Sequence, residues 1–204
     1  STPKPSSAAS DVYKRQYKAR LLRFYYHTTF FPGLIGLFVN PFYFARKGLA
    51  KHIGDLAPHI QGRTLDVGCG SKPYVHLYHS KEYVGLEIDT PQNRENKSAD
   101  YFYDGTQFPF PDQSFDSVVA NEVFEHVFNP DQFLFEVRRV LKPNGTLLMT
   151  MPFVWDEHEQ PYDFARYSSF GIKALLTKQK FEILEQRKSC LLYTSDAADE
   201  GLGV

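Results

Sequence analysis

Two carboxylates and a pair of glycines set the first chemical expectation. Leu65 to Gly70 reads LDVGCG, so a short apolar run reaches Asp66 and passes into Gly68-Cys69-Gly70. Glycines at such a turn let the backbone come close to a ligand, and a helix starting after them would favour an anionic group. Twenty-one residues beyond Asp66 stands Glu87, at the end of a second apolar run, YVGLEID. A carboxylate at a strand end can accept two hydrogen bonds from a ribose diol. A Gly-x-Gly turn alone says little. With a strand before it and an acid at the next strand end, it points to a ligand containing a nucleoside.

A second concentration of reactive residue types lies further on. Met151 to Tyr167 reads MPFVWDEHEQPYDFARY and follows another apolar run. Loops this rich in polar and aromatic groups commonly serve binding. Trp155, Asp163, Arg166 and Tyr167 are the expected substrate-binding residues, against the plainer reading of a surface loop held by an Asp163–Arg166 pair. His158, in this loop, and His126, in FEHV, are the candidate general bases, since imidazole titrates near neutral pH. His126 also reads as a core or cofactor-edge residue. Cys69, flanked by glycines, reads as packing rather than as a nucleophile, and Glu122 and Glu125 read as a solvated helix turn. The seven histidines have no ligand spacing along the chain, and His158-Glu159 lacks the second histidine of a zinc motif, so no metal is expected.

These residues need elements to position them. Thr64–Val67, Tyr83–Ile88, a run containing Ser117–Ala120, and Thr146–Met151 read as strands, the last entered through the turn Pro143-Asn144-Gly145. Asn129-Pro130 opens a helix with Phe133, Leu134, Val137, Val140 and Leu141 at helical spacing. Asn40-Pro41 opens another, with Phe42, Phe44, Leu49 and Ile53 as its apolar face. Near-continuously apolar strands alternating with helices imply a parallel sheet covered on both faces. A nicotinamide dinucleotide site would place its third glycine at position 73, which is Pro73.

Four motifs in order, LDVGCG, VGLEID, PFPDQSFDSVVANEVFEHV and RRVLKPNGTLLMTMP, resemble the class I S-adenosylmethionine-dependent methyltransferases, and within them the type 11 group, over roughly residues 60–188. The resemblance implies an α/β, Rossmann-like, doubly wound and mostly parallel sheet, S-adenosyl-L-methionine as cofactor, and methyl transfer as the activity. It implies that Asp66, Gly68 and Gly70 hold the methionine part of the cofactor and that Glu87 binds the ribose. Asp104 and Gly105 would then read adenine, and Asn121 would lie beside the methionine and sulfonium. Asp116 matches a structural acid. Two departures are Lys72, where a third glycine is usual, and KPNG for the usual KPGG. Similar methyltransferases associated with surface glycan genes carry a comparable Pro-x-Asp-x-x-Arg-Tyr run. The family sheet has seven strands. Phe181–Glu185 reads as the sixth, and no alternating run remains for the last, which is therefore expected to be missing.

Composition bounds the alternatives. The chain has 204 residues, 42% hydrophobic and 23% charged, with a formal net charge of −1 and two cysteines, as in an ordinary globular protein of a reducing compartment. Residues 17–189 carry as many basic as acidic side chains, so a nucleic-acid partner is not expected. The expected partner is a small-molecule, sugar, glycan or lipid-linked acceptor in the cytoplasm. Residues 17–45 combine Lys18, Arg20 and Arg23 with clustered aromatics, which suits a lid or a peripheral contact with the inner membrane face. The competing classes are a cofactor-binding module without catalysis and a nicotinamide-dependent oxidoreductase. No signal peptide is read, and a start at Ser1 suggests a fragment or a processed chain. Residues 6–16 and 191–200 resemble translated adapter sequence. The expected organisation is therefore a non-native or disordered tail over 1–16, a helical extension over 17–59, the methyltransferase domain over 60–189, and a second tail over 190–204.

Overall fold

The computed structural model describes residues 17, 18, 20, 24–26, 28–34, 36–95 and 98–188. The two tails expected at residues 1–16 and 190–204 lie outside them. The chain forms two compact units, residues 53–187 and residues 1–52 with 188–204.

The larger unit is built on five strands: β1 (Gln61–Val67), β2 (His79–Ile88), β3 (Tyr101–Tyr103), β4 (Phe115–Asn121) and β5 (Leu141–Thr150). They form one sheet in the order β3-β2-β1-β4-β5, with every neighbouring pair parallel. Val118, Val119 and Ala120 are consecutive and all 0% exposed, so β4 is covered on both faces. Helix Pro130–Val140 turns Phe133, Leu134, Val137 and Val140 into the core, and the side chain of Asn129 caps it by accepting from the Gln132 N–H. Helix Ser169–Lys178 adds Ile172, Leu175 and Leu176 to the same core. Asp116 accepts from the Arg63 N–H at 2.8 Å and from Lys142 at 2.7 Å, tying three strands together at their starts. Asn144, at φ 61°, supplies the left-handed residue of the KPNG turn.

Strand order reverses between β1 and β4. At such a switch point the connections leave in opposite directions and open a crevice at the carboxyl ends of the strands. Asp66, Gly68 and Gly70 at the end of β1, Glu87 in β2 and Asn121 closing β4 all lie at this edge.

Three local expectations are corrected. The first is the helix after Gly70: residues 68–78 form a loop with a single 3-10 turn at Val75–Leu77. Pro73 disfavours the right-handed helical region for the residue before it, and Lys72 takes φ 54°. The second is the face of helix Tyr43–Leu56: Ile53 is buried as expected, but Phe42 and Phe44 are exposed and Tyr43 is buried instead. The third is the strand at Phe181–Glu185. Its side chains alternate in burial at 181–184, but residues 181–188 pair with no strand among the described residues, and an extended segment without a ladder is not a strand.

The smaller unit holds helical residues at 17, 18, 20, 24–26 and 28–30 and a helical turn at Gly36–Val39. Tyr26 and Phe30 pack ring to ring at 4.9 Å, whereas Tyr17, Tyr25, Leu34 and Phe38 are exposed. Among the described residues no helix is long and apolar enough to cross a membrane.

Candidate active site

The turn after β1 is shaped by what each glycine makes room for. Gly68 has φ 65°, and a Cβ on it would lie 2.4 Å from Val123 Cγ2, so it permits close packing against the β4 exit. Gly70 has φ 48° and nothing within 4 Å of where its Cβ would be, so it faces open space. Lys72 takes the left-handed conformation that a glycine would supply. Its ammonium reaches Asp100 at 2.6 Å, and its stem covers Gly85. Cys69 packs against the same glycine, and burial pushes its thiol up to about 12, which leaves it no nucleophilic character near neutral pH.

Around this turn stand the acids. Glu87 accepts from the Gly70 N–H at 2.6 Å, so the ribose candidate and the open glycine are adjacent. Burial, with the Glu159 carboxylate adding to it, raises the Glu87 carboxyl. Asp66 is buried and accepts from the Tyr83 hydroxyl at 2.7 Å; burial pushes its carboxyl up to about 7. Asn121 donates to the Tyr78 hydroxyl at 3.1 Å, while its buried Oδ1 has no partner. Asp104 accepts from the Thr106 N–H and hydroxyl, which lowers its carboxyl, and Gly105 follows at φ 86°. Asp104 lies on the wall of an open concavity of about 500 Å³ that runs along residues 102–111. S-adenosylmethionine fits this chemistry. An orphaned acceptor at Asn121 suits an ammonium, and open space above Gly70 beside Glu87 suits a ribose.

The loop after β5 docks over the exit of β4. The N–H groups of Phe164 and Ala165 donate to the Glu125 carbonyl at 2.9 and 3.2 Å. Asp163 and Arg166 form a two-pronged pair, and Arg166 also donates to the Ala165, Trp155 and Asp156 carbonyls. That pair holds the Asp163 carboxyl well below the usual range. Both side chains are thus engaged in fixing the loop. Trp155 is half-buried, and the Tyr167 ring packs on Phe124 at 5.0 Å against the core, so the loop's aromatic and charged side chains are engaged largely in its own packing.

The solvated turn expected at Glu125 is overturned. The 3-10 turn Phe124–His126 directs Glu125 inward beneath the docked loop. Its carboxylate is 1% exposed with neither oxygen hydrogen-bonded, and burial pushes its carboxyl up to about 7. His126 and His158 flank it, with ring centroids 4.8 Å apart. His126 Nδ1 faces the Tyr162 carbonyl at 2.9 Å, and His158 Nδ1 faces the Asp156 carbonyl at 3.1 Å and Asp163 Oδ2 at 3.2 Å. Those partners only accept, so each Nδ1 carries a proton, and in the neutral ring each Nε2 keeps a free lone pair. Both Nε2 atoms point at Glu125 Oε1, from 3.8 and 3.9 Å. Sequence reasoning missed Glu125. Its only signal was a carboxylate placed between Phe124 and a histidine at the end of an apolar strand.

A family model described as a methyltransferase domain matches residues 65–149. A protein of Mycolicibacterium smegmatis named "Probable S-adenosylmethionine-dependent methyltransferase" is 44% identical over 105 residues, 48% of this chain and 41% of its own length. A fatty-acid O-methyltransferase of the same organism is 34% identical over 99 residues, 43% of this chain and 36% of its own. The chain thus spans about two fifths of the length of these curated relatives. Among solved structures, a chain of the complex between the Haloferax volcanii Trm112 methyltransferase activator and a methyltransferase superposes with TM-score 0.58, at 24% identity, covering 72% of this chain and 73% of that one. The reversal of strand order and the acid-lined crevice agree with the match to a methyltransferase domain, and over residues 65–149 the chain is similar to the S-adenosylmethionine-dependent methyltransferases.

Proposed function

We propose that the chain transfers a methyl group from S-adenosylmethionine to an oxygen of a small apolar, sugar or lipid-linked acceptor. The observation that carries this reading is the Glu125–His126–His158 cluster. It lies four residues past Asn121, under a loop whose Glu159 acts electrostatically on Glu87. Bound S-adenosylmethionine would supply a methyl on a positively charged sulfur, an electrophile that needs little beyond alignment and exclusion of water.

The chain's own residues divide the remaining work. Glu87, Asp104 and Gly105 orient the nucleoside, while Asp66, Gly70 and Asn121 orient the methionine part. His158 Nε2, with its lone pair fixed by Asp163 behind the ring, takes the proton of an acceptor hydroxyl, and His126 supports it across the cluster. Asp163 and Arg166 are positioning residues that keep the loop closed over the site. Phe128, Tyr162 and Phe164 pack edge to face at the rim and are 82, 61 and 44% exposed, a surface suited to an apolar acceptor chain. The fatty-acid O-methyltransferase among the relatives has an acceptor of that class.

Calorimetric titration with S-adenosylhomocysteine and with NAD separates the classes. Binding of the first alone supports the reading; binding of NAD, or of neither, refutes it. Incubation of a metabolite and lipid extract with methyl-labelled cofactor, followed by mass spectrometry, then identifies the acceptor. No labelled product from any fraction would leave a binding module without transfer.

A further inference from the structure

The cluster at Glu125 has a geometry that proton transfer alone does not require. We propose that Glu125, His126 and His158 bind a divalent transition-metal ion such as zinc, with one coordination position left open toward the acceptor. The inference rests on the reading of this cluster as the acceptor-side chemistry and deepens it: with an ion bound, the His158 Nε2 lone pair would be a ligand rather than a base, and activation of an acceptor hydroxyl would come from its oxygen meeting the ion at the open position.

Three observations support it. The ligand atoms are spaced for an ion between them. The two Nε2 atoms stand 3.8 and 3.9 Å from Glu125 Oε1, too far for hydrogen bonds. One ligand atom from each of the three residues lies within 4.8 Å of the other two. Ligands about 2.0–2.2 Å from a tetrahedral zinc lie roughly 3.4 Å apart, so a small inward movement closes the site. The donors are also prepared for ligation. Each imidazole has Nδ1–H directed at an acceptor, a carbonyl for His126 and a carbonyl with the Asp163 carboxylate for His158. That outer hydrogen bond fixes the tautomer in which Nε2 is a ligand, and it is the usual support of metal-bound histidine. Finally, Glu125 is 1% exposed, and neither carboxylate oxygen has a hydrogen-bond partner. A buried carboxylate without donors is costly, and a cation between it and two imidazoles removes the cost.

The donor set selects the class of ion. Two nitrogens and one oxygen suit zinc and its neighbours in the first transition row, whereas magnesium and calcium prefer oxygen ligands throughout. His126 and His158 are 16 and 31% exposed, which leaves an entry path. The histidines escape notice along the chain because position 126 follows β4 and position 158 follows β5; adjacency of those strands, rather than sequence spacing, brings them together.

The test uses the untagged chain, freed of metal by a chelator and titrated separately with zinc and cobalt(II) chloride, without acceptor. The expected result is one ion per chain, with visible d–d absorption for cobalt in four- or five-fold coordination. His126→Ala and His158→Ala should each weaken uptake by tenfold or more, while S-adenosylhomocysteine affinity in the same preparations stays within twofold and reports an intact fold. Absence of saturable uptake by the unaltered chain, or uptake unchanged in His158→Ala, would overturn the proposal. Methyl transfer that survives chelation in a chain without metal uptake sinks the metal site and leaves the proposed function standing. Metal uptake without S-adenosylhomocysteine binding does the reverse.

Discussion

Asp66 makes the free protein's stability depend on pH in a direction opposite to that of most carboxylates. Its side chain is buried, and its ordinary value of 3.8 is pushed up to about 7, chiefly by burial, with Tyr83 and Lys72 opposing and Glu87 adding to the rise. Between those two values the folded protein keeps a proton that the unfolded chain releases, so stability falls as pH rises through the window and levels off above about 7. Each unit is worth about 1.4 kcal/mol, so the whole window spans about 4 kcal/mol and the part between about pH 5.5 and 8 about 2 kcal/mol. Asp66→Asn is neutral throughout, and its amide oxygen can still accept from Tyr83. Urea unfolding of both chains at about pH 5.5 and 8 isolates the effect, because Glu125 and every other titratable group is common to the two chains and cancels. The variant should gain about 2 kcal/mol on the unaltered chain between the two pH values, at constant m-value. If the two stability curves run parallel across that range, Asp66 is ionised in the fold and the argument from its burial is wrong.

Glu87→Ala should weaken S-adenosylhomocysteine binding by about 1.5–3 kcal/mol, roughly ten- to a hundredfold, as a lost charge-assisted hydrogen bond would; an unchanged calorimetric dissociation constant removes the ribose assignment. Gly68→Ala forces a left-handed alanine into Val123 and should cost about 2–4 kcal/mol in urea unfolding, whereas Gly70→Ala, facing open space, should lose chiefly cofactor affinity; equal losses of stability would contradict that division. Arg166→Ala should lower turnover while cofactor affinity stays within about twofold, since the arginine holds the loop rather than the cofactor; a large loss of cofactor binding would disprove the separation. The exposed aromatics of residues 17–45 should pellet the chain with anionic liposomes; a version lacking these residues that pellets equally rejects a membrane contact there.

The sheet was legible because its signals are local. Apolar runs at 64–67, 83–88, 117–120 and 146–151 became β1, β2, β4 and β5, and the Asn129 cap marked its helix. β3, only Tyr101–Tyr103, is too short to show a period. On helix Tyr43–Leu56 the expected Ile53 is buried, but Phe42 lies before the helix begins, where helical spacing does not apply, and Phe44 is exposed while Tyr43 is buried. Asp66 and Glu87 stand near the ends of β1 and β2, as their apolar runs indicated, whereas Asp104 was reached through the resemblance alone. The cluster at Glu125 could not be placed, because it depends on which turn passes under which loop. The same holds for Asp163 and Arg166, whose types suggest recognition but whose positions make them a brace.

The docking of residues 155–167 separates what holds the loop from what it displays. Its main chain is anchored by the Phe164 and Ala165 N–H groups on the Glu125 carbonyl and by the Tyr162 carbonyl facing His126, and the Asp163–Arg166 pair braces it from within, while the side chains of Tyr162 and Phe164, and of Phe153 and Val154 just before it, are exposed. Such a lid is modular. Its outward side chains can be exchanged to suit a bulkier, more polar or charged acceptor without loosening the brace that fixes His158. Under the proposed function, libraries varied at those four positions, with Asp163 and Arg166 kept, would alter acceptor preference while leaving cofactor binding unchanged.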